Sequence, residues 1–381
     1  MSLTNGQETA LSRICQWYDN TESHVFRLGG PAGSGKSWLI PLIAERVGLQ
    51  KCLFMTPTGK AANRLIKAGL NAHTIHSQIY RSNFIAPESI KNLEEMWRYP
   101  EETVSDDDDY NYHLKAHDSF KDTELFIVDE GSMVGGKLLE DLKSFDIPIL
   151  LVGDPHQLEP VKDTTVFDKC DYYLTEIVRQ AQDNPIIWLS QQILNGKLPM
   201  GTFGTCQVRY GGLADSEIMY ANQILTDTNA VRESLNTYIR KLWFNGNVGH
   251  KKFKEHDKII CRTNRQMSSS EGFALTNGAQ GIIAAILQTK QTQKRGVAVE
   301  CVMHTDELGD FTFVGAEHPE KFAPVVRPAK IEHAYAITVH LSQGSEWDNV
   351  IYVASKYSKR PNMYTAVTRA KQSVLVTIPE N

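Results

Sequence analysis

Gly30-Pro-Ala-Gly-Ser-Gly-Lys36-Ser37 lies between the apolar run His24-Val-Phe-Arg-Leu28 and the helical pattern Trp38-Leu-Ile-Pro-Leu-Ile-Ala44. Strand, glycine turn, helix is the order that a GxxxxGK[ST] loop requires. Glycines let backbone N–H groups turn inward around phosphate oxygens, and the start of the helix adds a favourable dipole. Gly30, Pro31, Ala32, Gly33, Ser34 and Gly35 would form this cradle. Lys36 would reach the β- and γ-phosphates of ATP, and Ser37 would hold Mg²⁺. A chance glycine turn is the bland alternative, and the flanking strand and helix count against it.

A phosphate loop needs a second metal ligand at the end of a neighbouring strand. Leu125-Phe-Ile-Val-Asp129-Glu130 supplies one. Asp129 would bind Mg²⁺ through water, and Glu130 would orient and deprotonate the attacking water. An apolar run ending in Asp-Glu is ordinary by itself; the loop about 90 residues upstream singles it out. Next, Leu151-Val-Gly-Asp154-Pro-His-Gln157 places polar groups at another strand end, where Gln157 suits a γ-phosphate sensor or a plain turn.

Outward from this loop, short runs rich in branched residues alternate with helical patterns, which predicts an α/β fold with parallel strands and crossover helices. Lys51–Met55, Leu125–Val128 and Ile149–Val152 are further strand candidates, with a helix from about Lys60. The polar stretch from about Arg81 to Asp122 breaks the alternation and reads as an insertion. In the second half the candidates are Gln223–Leu225, Lys258–Cys261, Ala336–Val339, Val350–Val353 and Val374–Thr377. From about Asn277 to Ala329, NG and GD turns among Thr and Val predict a small β module inserted into the second α/β domain.

Bulk properties set wide bounds. The 381 residues, 41% hydrophobic and 22% charged, can build two or three domains with their own cores. No apolar run approaches the ~20 residues of a membrane helix. The opening MSLTNGQETALSRI has no basic region followed by an apolar stretch, so no secretory signal is expected. Six dispersed cysteines without a CxxC pair argue against a zinc site or disulfide framework and fit a reducing cytoplasm. The net charge of −5 neither favours nor excludes a nucleic-acid partner, because Asp106–Asp109 with Glu101 and Glu102 read as a solvated acidic loop.

GPAGSGKS, TPTGKAA, TIHS, VDEGSM and GDPHQLEPV, in this order, resemble the motifs of superfamily 1 helicases, most of all the RecD-like and phage Dda-like branch. The resemblance implies two RecA-like P-loop NTPase domains. Domain 1A would cover residues 1–180, with a pin-type 1B insertion at about 82–122. Domain 2A would cover 181–381, with an SH3-like 2B insertion at about 284–330. Phe84, Trp97 or Tyr99 would be the tip of the pin, unless they pack a small core of the insertion.

The same resemblance assigns roles to single residues. Arg179 in Leu174-Thr-Glu-Ile-Val-Arg-Gln180 and Arg369 in Tyr364-Thr-Ala-Val-Thr-Arg-Ala370 would be arginine fingers on the transferred phosphoryl group. Gln343 and Gly344 would line the γ-phosphate side. Glu346 would contact the nucleotide sugar or its arginine, and Gln7 would read the adenine edge or merely start a helix. Pro57, Thr58, His76, Thr228, Asn229 and His340 would grip the strand without reading its sequence. The implied activity is ATP-dependent unwinding of DNA, moving 5′→3′ on single-stranded DNA. The implied setting is a monomer at single-strand/duplex junctions in a bacterial or phage-infected cytoplasm, in contact with replication or recombination proteins, in replication, recombination or repair. A single-strand translocase with weak unwinding is the runner-up; a P-loop NTPase of another kind would have no use for SQGSEW and TAVTRAK so far downstream.

Overall fold

Leu125–Val128 and Ile149–Gly153 are buried at every position, as unbroken apolar runs are when helices cover both faces of a parallel sheet. They are the middle of a six-stranded sheet in the order Ala72–Thr74, Cys52–Thr56, Leu125–Val128, Ile149–Gly153, Val25–Gly29, Tyr172–Tyr173. Each assigned pairing in it is parallel. The computed structural model behind this description covers residues 3–20, 23–82, 92–98, 112–160, 163–178, 183–248, 252–263, 275–306, 308–322 and 328–380.

The chain divides into two compact units. One comprises Met1–Ile79, Leu114–Asn229 and Ile337–Asn381. It holds the first sheet and a second of six strands: Ala336–Thr338, Gln223–Thr226, Trp347–Val353, Ala370–Ile378, Cys206–Tyr210 and Gly201–Phe203. The last of these runs antiparallel to its neighbour.

Helix α1 (Asn5–Asn20) turns Gln7, Ala10 and Ile14 inward, the spacing of one helical face. Ala10 and Ile14 join Leu28, Leu39, Ile40, Ile43, Ile127 and Leu150 in the core beside the phosphate loop. Helix α2 (Lys36–Val47) leaves that loop directly, and helix α3 (Gly59–Lys67) leaves the second strand. Thr58 caps α3, its Oγ1 accepting from Ala61 N–H at 3.3 Å.

The other unit comprises Tyr80–His113 and Ala230–Ala336. Five strands close a barrel: Lys258–Cys261, Gln280–Thr292, Gly296–Thr305, Gly309–Ala316 and Ala329–His333. Ile259, Cys261, Ile283, Val299, Cys301, Phe311, Phe313 and Ile331 fill it. Lys258–Cys261 is therefore a barrel strand, where its apolar run alone reads as one more strand of an α/β sheet. Four residues of that kind suit either environment, and only the partner strands distinguish them. Within the same unit, the short helix Leu93–Arg98 sets Leu93 and Met96 against Ala298, Val314 and Phe322. Trp97 meets Phe322 edge-on at 5.5 Å, and the Arg295 guanidinium lies 5.2 Å over its ring. Trp97 is thus an anchor of the insertion on the barrel rather than its tip. Phe84 and Tyr99 lie outside the described residues.

Candidate nucleotide and strand site

Gly33 and Gly35 have φ of 80° and 79°, left-handed values that bend the phosphate loop at little cost only for glycine. No side chain caps α2 at Gly35, so the first N–H groups of the helix keep their donors for a bound anion. Lys36 folds back onto its own loop, donating to Gly30 O at 2.6 Å and Pro31 O at 2.9 Å. Burial pushes its ammonium below the ordinary lysine value, against the pull of Asp154, Glu130 and Asp129. Ser34 is buried and Ser37 is exposed.

Asp129 and Glu130 end their strand buried, and Glu130 takes a left-handed backbone, φ 55°. A non-glycine residue there stores strain, which clusters at working sites. Burial raises the Asp129 acid, the Glu130 carboxylate adds to the rise, and Arg64 opposes it. Arg64, from α3, reaches both carboxylates: Nη2 lies 3.1 Å from Asp129 Oδ2 and 3.3 Å from Glu130 Oε1. Gln157 is buried too, and among the described residues its Oε1 has no partner. Uncapped amides, a lysine on the loop, two buried carboxylates and an orphaned amide oxygen are the donor set that MgATP needs.

The helix Arg360–Val367, which connects the strands Trp347–Val353 and Ala370–Ile378 of the second sheet, enters the same site. Tyr364 is fully buried and accepts from Ala32 N–H in the phosphate loop at 2.9 Å. Its hydroxyl donates to Asp154 Oδ2 at 2.5 Å. Beside it, Leu158 N–H donates to Thr365 Oγ1 at 3.2 Å, and Gln343 Nε2 donates to Leu158 O at 3.1 Å. Arg369 is buried, donating through Nε to Thr365 O at 3.1 Å and through Nη1 to Ser345 O at 3.4 Å. Its charge reaches Lys36 and helps hold that ammonium down. Arg179 lies outside the described residues.

Gln7 is buried with both amide ends engaged: Nε2 donates to Ser34 O at 3.1 Å and Oε1 accepts from Thr4 N–H at 3.0 Å. It braces the phosphate loop from behind, and a side chain on Gly35 would collide with it. Glu346 is exposed and close enough to Arg64 to raise its pKa. Gly344, φ 75°, lies so near α3 that a Cβ would stand 2.8 Å from Thr58 Oγ1.

The strand candidates fall on two turns built alike. Thr56 and Thr226 each end a strand fully buried. Thr56 donates to Thr58 O at 2.7 Å and Thr226 to Thr228 O at 3.1 Å, each time just before a helix begins. Pro57 and Thr58 are half-buried, whereas His76, Thr228, Asn229 and His340 are exposed. Both His76 and His340 keep an exposed edge, while the protein atoms packed around the rest of each ring strip water from it and lower its pKa.

Residues 2–206 match the family described as AAA domain, and residues 333–377 match the UvrD-like helicase C-terminal domain. The chain belongs to the superfamily 1 helicases of RecD and Pif1 type. The ATP-dependent RecD2 DNA helicase of Deinococcus radiodurans is 28% identical over 91% of this chain and 46% of its own length. The ATP-dependent DNA helicase Pif1 of Campylobacter jejuni is 23% identical over 93% of this chain and 87% of its own. An uncharacterised protein of Methanocaldococcus jannaschii matches at 26% over 94% of this chain and 37% of its length. The chain thus spans less than half of the Deinococcus and Methanocaldococcus relatives. Among solved structures, Bacteroides Pif1 in complex with ADP-AlF3 and ssDNA shares the fold, with a TM-score of 0.57 and 19% identity over 99% of this chain and 92% of that one.

Arg64, Asp154 and Tyr364 are the site residues that motif reading leaves without a role. Asp154 and Tyr364 stand inside quoted motifs, GDPHQ and YTAVTRA, where a polar group directly after or among apolar neighbours is the available signal. Arg64 follows TPTGKAA by one residue and carries no signal of its own. No helix among the described residues is long and apolar enough to cross a membrane.

Proposed function

We propose that this chain is an ATP-driven motor that moves 5′→3′ along single-stranded DNA and unwinds duplex ahead of it. The observation that carries this reading is the pair of hydrogen bonds in which Tyr364 accepts from Ala32 N–H and donates to Asp154, because they tie the helix Arg360–Val367, between two strands of the second sheet, to the phosphate loop. A nucleotide bound there would bias the relation of the two sheets, which is how binding energy becomes movement. The relatives' printed names, RecD2 and Pif1 DNA helicases, support the same activity.

In this reading MgATP supplies the free energy through phosphoryl transfer. Ser37 and, through water, Asp129 would hold Mg²⁺, Lys36 would turn from Gly30 O and Pro31 O to the phosphates, and Glu130 would take the proton of the attacking water. Gln157 senses the γ-phosphate, and Arg369, with Arg179, offsets charge on the transferred group. Thr58 and Thr228, at the two matching turns, offer hydroxyls to backbone phosphates, with Pro57, His76, Asn229 and His340 beside them. Such contacts carry no base information, as a motor on arbitrary sequence requires.

The domain reading follows the same proposal. Residues 1–180 form domain 1A with a 1B pin at about 82–122. Residues 181–381 form domain 2A, whose 2B insertion we read as SH3-like. The five-stranded barrel from Lys258 to His333 supports that label and a wider extent than 284–330. A monomer at single-strand/duplex junctions, in a cytoplasm that keeps all six cysteines as thiols, completes the proposal.

ATPase rate with and without single-stranded DNA tests it first, and no stimulation by DNA would sink the motor. Partial duplexes with 5′ or 3′ tails test polarity; unwinding only from 3′ tails would overturn the direction.

A further inference from the structure

The catalytic carboxylates are already in use. Arg64 Nη2 bridges Asp129 Oδ2 and Glu130 Oε1, and the Glu130 N–H donates to Asp129 Oδ1 at 2.9 Å. Both acids are buried, and the guanidinium is the cation hydrogen-bonded to them, with the Lys36 ammonium acting from farther off, so removing it uncovers charge in a place where charge is costly. Oxygens turned to the arginine are not free to hold a metal-bound water or to accept a proton. A divalent cation at Asp129 and the guanidinium of Arg64 repel one another and compete for the same oxygens.

Arg64 is also placed to receive a signal. It stands about 9 Å along α3 from the cap Thr58, at ~1.5 Å per residue, and a helix this short moves as a rod. At its start, Thr58 is packed against Gly344, and Lys60 Nζ lies 5.3 Å over the Trp347 ring. At its far end Arg64 also feels Glu346. One helix therefore joins a strand-gripping turn, the Gly344–Trp347 segment and the catalytic acids.

We propose that Arg64 is a positioning residue that latches Asp129 and Glu130 while no strand is bound, and that strand engagement at the Thr58 end of α3 withdraws it. The latch makes hydrolysis wait for DNA. This rests on the motor reading above and adds the means by which the strand controls the fuel site.

The test measures binding of a fluorescent, non-hydrolysable ATP analogue as a function of Mg²⁺, beside turnover. In the unmodified chain, saturating oligo-dT should lower the Mg²⁺ needed for half-maximal binding, as linkage demands. Arg64→Gln should lower that requirement without DNA by about tenfold, the scale of one charge-assisted hydrogen bond. It should also raise DNA-free turnover several-fold more than DNA-saturated turnover. Arg64→Lys, a point charge that cannot bridge two carboxylates as a planar fork does, should fall between the two. An Mg²⁺ requirement indifferent to oligo-dT in the unmodified chain overturns the latch even if neither variant folds. So does an Arg64→Gln protein of unchanged melting temperature that loses DNA-free and DNA-saturated turnover equally. Absence of DNA-stimulated turnover in the unmodified chain is a different failure and strikes the motor reading itself.

Discussion

Tyr364 and Asp154, 210 positions apart in sequence, share a 2.5 Å hydrogen bond in which the tyrosine hydroxyl is the donor. Burial and the Asp154 carboxylate hold the phenol far above its ordinary pKa, so it remains a donor at every working pH. The same oxygen accepts from Ala32 N–H. One hydroxyl thus connects the last motif, the phosphate loop and the strand end that carries Gln157.

Tyr364→Phe keeps the ring and removes the donor on Asp154 Oδ2, leaving His156 N–H on Oδ1. Losing a hydrogen bond to a charged group costs ~1.5–3 kcal/mol, so DNA-stimulated turnover should fall by roughly tenfold or more. Steady-state ATPase with a melting curve checks this. A variant that melts much earlier yet turns over normally would make Tyr364 only a packing residue.

Arg369→Ala separates hydrolysis from binding. A finger on the developing charge is worth ~10³-fold or more in rate, whereas the ground-state nucleotide barely uses it. Single-turnover hydrolysis should therefore collapse while affinity for a non-hydrolysable analogue changes little. Equal losses in both would assign Arg369 to holding Thr365 O and Ser345 O instead.

Thr58→Ala removes a helix cap and a candidate phosphate contact together. The cap is worth ~1 kcal/mol of stability. Strand affinity should drop by the same factor for oligo-dT and oligo-dA, since a phosphate contact is blind to the base. Fluorescence anisotropy on the two oligonucleotides decides it; a loss confined to one sequence would contradict a backbone grip.

Asp257 controls the acid limit of the barrel unit. It is wholly buried and accepts from Arg240 Nε at 2.7 Å, Arg240 Nη2 at 2.9 Å, Tyr335 OH at 2.9 Å and Lys254 N–H at 2.7 Å. Burial alone would raise its pKa, but His333, its Nε2 3.6 Å away, and the hydrogen-bonded Arg240 outweigh it and hold the acid below the ordinary aspartate range. A depressed carboxylate contributes stability above the unfolded value, and that contribution is lost as pH falls through the folded one. Asp257→Asn should cost ~3–5 kcal/mol at neutral pH by removing the buried carboxylate that faces the Arg240 charge, and should flatten the fall in melting temperature below about pH 4. An acid limb as steep as that of the unmodified chain would locate the sensitivity elsewhere.

What could be foreseen divides by distance along the chain. The phosphate loop, Asp129-Glu130 and the strands around them are local patterns, in which period, turn chemistry and apolar runs agree within a dozen residues. The two threonine turns were half legible: Thr58 and Thr228 came from motif likeness, but the hydroxyls that shape the turns belong to Thr56 and Thr226. Tyr364–Asp154 and Arg64–Glu130 were out of reach because nothing near either partner encodes the other. Lys258–Cys261 was read as a strand, but four apolar-rich residues do not reveal which sheet they join. Gln7 shows the opposite limit: its position was marked by likeness, while its hydrogen bonds serve the loop carbonyl of Ser34.

Gly344 leaves no room against Thr58, and that has a mechanical meaning. A clutch transmits torque only while its plates meet face to face, and here one plate is a bare Cα. A single methyl at position 344 would act as a shim. It would press on Thr58 and at the same time force a side chain into a left-handed backbone, φ 75°, so both plates would be disturbed by one change.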